Sequence, residues 1–144
     1  MPSVEAQVAE WCARDRARAF LPMDRAIVES TAVTDLAPLA GLTSLTELSV
    51  DGLPITSLAG LSGLPWFAAA RRVDLGGTGL ESAAGIERAT GATELFLYNT
   101  RIRDVAPLAG LCGLQVLRLD NTAVDDVGPL AALTELREIG LAGT

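Results

Sequence analysis

Histidine and lysine are both absent from this chain of 144 residues, and tyrosine occurs once. Without imidazole there is no His-based general acid or base, no Ser-His or Cys-His nucleophile pair, and none of the usual zinc or non-haem iron ligand sets. Without a side-chain amine there is no Schiff-base chemistry and no phosphate-binding P-loop lysine. Carboxylates are the main groups left for chemistry. Cysteine is scarce too: Cys12 and Cys112 fit neither a metal-ligand spacing nor a disulfide framework. Both are expected to be buried, small apolar residues of a reduced compartment.

Long apolar runs are also missing. No window approaches the eighteen or so consecutive apolar residues needed to span a bilayer. The first twenty residues carry Glu5, Glu10, Arg14, Asp15, Arg16 and Arg18 and lack the apolar stretch of a signal peptide, so a cytoplasmic address and no membrane contact are expected. The 11 basic residues, all arginine, face 18 acidic ones for a net charge of −7, which argues against a phosphate-binding surface and so against nucleic acid. Yet 49% of the residues are apolar, a composition that folds. One domain is the expectation at this length.

That apolar content is periodic. With Phe20, Leu42, Phe67, Ala89, Leu111 and Leu133 as phase zero, the steps are 22, 25, 22, 22 and 22 residues. In the five complete repeats, offsets 0, 3, 6, 8, 13, 16 and 19 make 35 positions, every one filled by Ala, Val, Ile, Leu, Met or Phe. Chance gives such a mask with a probability of roughly 10⁻¹¹, so the repeat governs the fold. Offsets 6 and 8 (Leu48 and Val50, Leu95 and Leu97) are spaced as in a strand that buries one face, and six such strands are expected to stack in parallel. Offset 15 holds Asp35, Ser57, Ser82, Asp104 and Asp126, which suit the start of a helical turn, and Pro38, Pro107 and Pro129 follow three residues later, where a missing N–H is harmless. A short convex turn, 3₁₀ in character, is expected in each repeat.

Stretches such as 45–55, LTELSVDGLPI, and 114–124, LQVLRLDNTAV, resemble the leucine-rich repeat family, in particular its bacterial internalin-like 22-residue class. The resemblance covers residues 20–144. It implies an α/β solenoid with a curved parallel sheet on its concave face and 3₁₀ turns on its convex face. Function follows only as a class, a protein- or peptide-binding module without cofactor or metal. The family places asparagine at offset 11; this chain has Thr31, Thr78, Thr100, Thr122 and Thr144 there, with Leu53 the departure. Hydroxyls are expected to replace the amide in part, and backbone or water to serve at Leu53. Residues 1–19 read as a capping helix, with Val4, Val8, Trp11 and Cys12 on one face. The last repeat, from Leu133, lacks a return segment and a polar cap, leaving an open strand edge that invites pairing.

Since packing fixes the mask, specificity is left to the alternate strand positions, offsets 5, 7 and 9. They carry seven acidic and three basic residues, a balance of −4, which favours a basic or mixed-charge protein or peptide partner. Phe96 and Tyr98 project from one strand. With Arg118 they form the expected centre of an interface, surrounded by Asp51, Arg72, Asp74, Glu94 and Asp120. A purely structural alternative has these rings packing on Arg118 as a cation–π pair. Trp66, in the three-residue insertion Leu64-Pro65-Trp66, either reaches a ligand or covers the core. Asp51 and Asp74 sit on adjacent strands, but an open face leaves both carboxyls in water, so no raised pKa and no enzyme is expected. Asp125 and Asp126 are a poor calcium pair, because capping occupies the second. Two other roles are compatible with the residues: a sensor or scaffold segment of a larger signalling or effector protein, making contact or homodimerising through the C-terminal edge, and an acidic inhibitor or immunity protein for a basic enzyme.

Overall fold

The structure, a computed structural model, describes residues 18–20, 25–29, 46–58 and 66–144. The 22-residue period becomes one sheet in chain order, β1 (Arg18–Phe20), β2 (Arg25–Glu29), β3 (Glu47–Ser49), β4 (Arg72–Asp74), β5 (Glu94–Phe96), β6 (Val116–Arg118) and β7 (Glu138–Gly140). Strands β2 to β7 are parallel, the six expected. The sheet nevertheless has seven strands, because β1 pairs antiparallel with β2. Of the capping helix expected over residues 1–19, the part with Trp11 and Cys12 lies outside the described residues, but its last two residues, Arg18 and Ala19, are strand rather than helix, held by their pairing with Glu29 and Val28 of β2.

Register holds the repeats in phase. Leu95 faces Leu117 and Leu117 faces Ile139, each pair one period apart. Leu48 still faces Val73 across the longer spacing, so the sheet absorbs the three extra residues outside the strands. Trp66 from that insertion is 2% exposed and meets Phe67 edge to face at 6.4 Å, which makes it a core residue rather than a ligand contact.

The mask predicts burial. From Leu48 to Val124 every described mask position is buried, with Val73, Leu75, Leu95, Leu97, Leu117 and Leu119 at 0% exposure. Each such side chain contributes about 1.5–3 kcal/mol relative to remaining in water. Departures gather in the last repeats: Val127 and Ile139 are exposed, and Leu136 and Leu141 are partly buried.

The convex turns form at Phe67–Ala69, Ile86–Arg88, Ala106–Leu108 and Gly128–Ala132, all 3₁₀. Offset 15 acts as expected: Ser82 Oγ accepts from Ala84 N–H, Asp104 Oδ1 from Ala106 N–H at 2.9 Å, and Asp126 Oδ1 from Gly128 N–H at 2.8 Å. Pro107 and Pro129 occupy the first helical turn. The threonine row works through its hydroxyls. Thr78, Thr100, Thr122 and Thr144 each donate to the carbonyl three residues earlier at 2.7 Å. In the second repeat the Leu53 N–H donates to Val50 O at 3.1 Å instead, and the leucine side chain is buried. Cys112 is exposed, contrary to the expected burial, because it stands one residue beyond core position Leu111, outside the mask.

Candidate functional site

The side chains of offsets 5, 7 and 9 stand on the sheet face opposite the 3₁₀ turns, the concave side of this class of solenoid. Their alternation with the core leucines is visible in β5, where Leu95 and Leu97 are buried while Glu94, Phe96 and Tyr98 keep part of their surface in solvent. Phe96 and Tyr98 are thus half-buried walls rather than free-standing rings.

Two glycines decide which way these walls lean. Gly76 occupies offset 9 of the third repeat, and a Cβ placed there would lie 2.3–2.6 Å from ring carbons of Tyr98. The ring therefore lies across the Gly76 backbone, toward β4. Gly140 sits at offset 7 of the last repeat, where a Cβ would lie 2.2 Å from Asp120 Oδ2 and 2.3 Å from Arg118 Nε. That pair leans the opposite way, over β7. A groove of about 380 Å³ opens between them, lined by Arg72, Asp74, Phe96, Tyr98, Asn99, Arg118, Asp120 and Asn121.

The groove gathers six of the eight side chains expected from the sequence, Arg72, Asp74, Phe96, Tyr98, Arg118 and Asp120. Glu94 flanks it, in an ion pair with Arg72. Asp51 lies exposed on the far side of Tyr98. The cation over Phe96 is not Arg118, as the cation–π alternative had it: the Arg72 guanidinium carbon stands 4.5 Å from the ring centroid. Arg118 is committed elsewhere, its Nε donating to Asp120 Oδ2 at 2.7 Å with Glu138 Oε1 3.4 Å from Nη1. Asp120 also accepts from the Ala142 N–H, and the Arg118 donation holds its carboxyl below its ordinary pKa.

Asp74 behaves differently. Burial, followed by the charge of Asp51, pushes its carboxyl above the ordinary value, against donations from the Gly76 N–H and the Tyr98 hydroxyl and attraction by Arg72. The expectation of two fully solvated carboxyls fails here because the Tyr98 ring, lying on Gly76, screens Asp74 from water. Tyr98 is shifted as well: burial first, then the charges of Asp74 and Asp51, raise its hydroxyl above the ordinary tyrosine value. Among the described residues no cluster of three or more His, Cys, Asp or Glu side chains suits a metal.

Asn99 and Asn121 were missed by the alternating-face reading. They stand at offset 10, where Gly52, Gly77 and Gly143 occupy the other described repeats, and all five have positive φ between 54° and 75°. Glycine or asparagine at this phase in every repeat but the first, which has Ser30, was the available signal, since both tolerate the left-handed conformation. Asn121 Nδ2 donates to Asn99 Oδ1 at 3.0 Å along the groove rim.

No family model and no curated protein matches the chain. Solved structures do. Internalin C2 of Listeria monocytogenes is 31% identical with a TM-score of 0.69, over 75% of this chain and 46% of that one. An internalin (inlF) of Listeria monocytogenes is 24% identical with a TM-score of 0.73, over 84% and 35%. A leucine-rich-repeat protein of Leptospira interrogans is 21% identical with a TM-score of 0.70, over 79% and 29%. The latter two likenesses are of fold alone, and the chain spans less than half the length of each of the three.

Proposed function

Starting from a chain that is an internalin-like leucine-rich-repeat solenoid, we propose that it is a non-catalytic module that binds a protein or peptide through its concave face. The observation that carries this reading is the groove at Phe96 and Tyr98, where half-buried aromatic surface lies between charged walls. Such a combination supplies rigid apolar area within a polar rim, the usual composition of an interface centre. The acidic balance of the face favours a basic or mixed-charge partner in a cytoplasmic setting. Replacing Phe96 by Ala and Tyr98 by Glu together is expected to weaken the complex by more than about 2 kcal/mol. Calorimetric titration of the double variant checks this, and unchanged affinity removes the groove from the reading.

A second reading, contact or homodimerisation through the C-terminal edge, is favoured by one observation: two apolar side chains are exposed in the last repeats, Ile139 of β7 at 41% and Val127 before the 3₁₀ turn Gly128–Ala132 at 45%. Light scattering on wild type and Ile139→Asp separates the two. A dimer that Ile139→Asp dissolves supports the edge; a monomer in both counts against it.

A further inference from the structure

Counted with its immediate surround, the groove is acidic. In its lining Asp74 and Asp120 balance Arg72 and Arg118, and outside the lining Asp51, Glu94 and Glu138 add three carboxylates. Both guanidiniums are engaged, one by Glu94 and the Phe96 ring, the other by Asp120 and Glu138. Among the described residues neither Asp51 nor Asp74 is in an ion pair; Asp74 accepts from the Gly76 N–H, and both carboxylates act on the Tyr98 hydroxyl. An acidic occupant would have to displace Glu94, Asp120 or Glu138 from its arginine. A cationic one meets a carboxylate already drawn out of water at the groove wall. The gap itself exists because Gly76 and Gly140 lack side chains, so its walls lean apart over Phe96.

The geometry points to an arginine side chain of the partner as the occupant of this groove, its guanidinium against the Asp74 carboxylate and between the Phe96 and Tyr98 rings. This rests on the concave-face reading and narrows it. Arginine fits better than lysine because a planar guanidinium pairs with a carboxylate and stacks on an aromatic ring in one pose, whereas an ammonium is a strongly hydrated point charge. Gly76 becomes a positioning residue. With alanine there, the Tyr98 ring must move off the backbone into the space the guanidinium takes. Its φ is not in the left-handed region, so the substitution leaves the backbone unstrained.

A phage library of random heptapeptides selected on the full chain tests this. Selected peptides are expected to share an arginine, and replacing it by citrulline, its neutral isostere, is expected to cost about tenfold or more in affinity. Asp74→Asn should cost a similar factor, and Gly76→Ala should weaken binding while leaving thermal unfolding near that of the wild type. Bound peptide should also lower the ionisation midpoint of Tyr98 by setting a cation beside its two carboxylates. Equal affinity for the citrulline peptide, or acidic peptides without arginine, overturns the inference. If those peptides still lose binding on Phe96→Ala, the concave-face reading stands. Peptides indifferent to Phe96→Ala, or none selected, overturn both.

Discussion

Tyr98 is the chain's one tyrosine, so near-ultraviolet absorbance of the phenolate reports on it alone. Burial and the neighbouring carboxylates keep its proton bound in the folded chain at a pH where the unfolded chain, titrating at about 10, has already released it. The folded state therefore holds more protons above that pH, and this contribution to stability is lost as pH rises through the window. The absorbance titration should show a midpoint above the ordinary tyrosine value. In Asp74→Asn the midpoint should fall only part of the way back, because burial is the largest cause and Asp51 remains. A midpoint unchanged by that substitution would mean that the ring does not lie where Gly76 places it. The lean of Tyr98 was not legible in the sequence. Offsets show which face a side chain occupies, but its direction across the face depends on what the neighbouring repeat leaves empty. The same ignorance assigned the cation–π contact to Arg118 rather than Arg72.

At the scale of the element, the strand-to-turn transition is made by one left-handed residue per repeat, followed by a threonine in four of the five described repeats. Asn121, at φ 56°, tests how much that conformation matters. Asn121→Val should destabilise the chain by about 1–2 kcal/mol, since a β-branched residue resists φ > 0. Asn121→Gly removes the same bond to Asn99 without that resistance and should cost less. Urea midpoints at constant slope measure both. Strands, 3₁₀ turns and threonine bonds were legible because each repeats in step with the core. Asn99 and Asn121 were not, since they belong neither to the apolar mask nor to the alternation of the strand. Cys112 shows the converse error, a residue assigned to the core by type although its phase excludes it.

On the scale of the whole molecule, a stack in which each repeat touches only its neighbours has no single centre, and its stability varies along the axis. Hydrogen exchange should be slowest in β5 and β6, between repeats whose core leucines are fully buried, and fastest in β7, where Ile139 is exposed. Uniform protection from β5 to β7 would show that the stack opens as one unit. The sheet also treats changes in chain length unequally. Leu48 meets Val73 in register although their separation exceeds the period by three, whereas a one-residue slip within a strand would turn its leucines outward and its carboxylates inward. Additions to the return segments are therefore absorbed locally, and additions of one whole period would keep every strand in phase while lengthening the ruler along which a ligand is read.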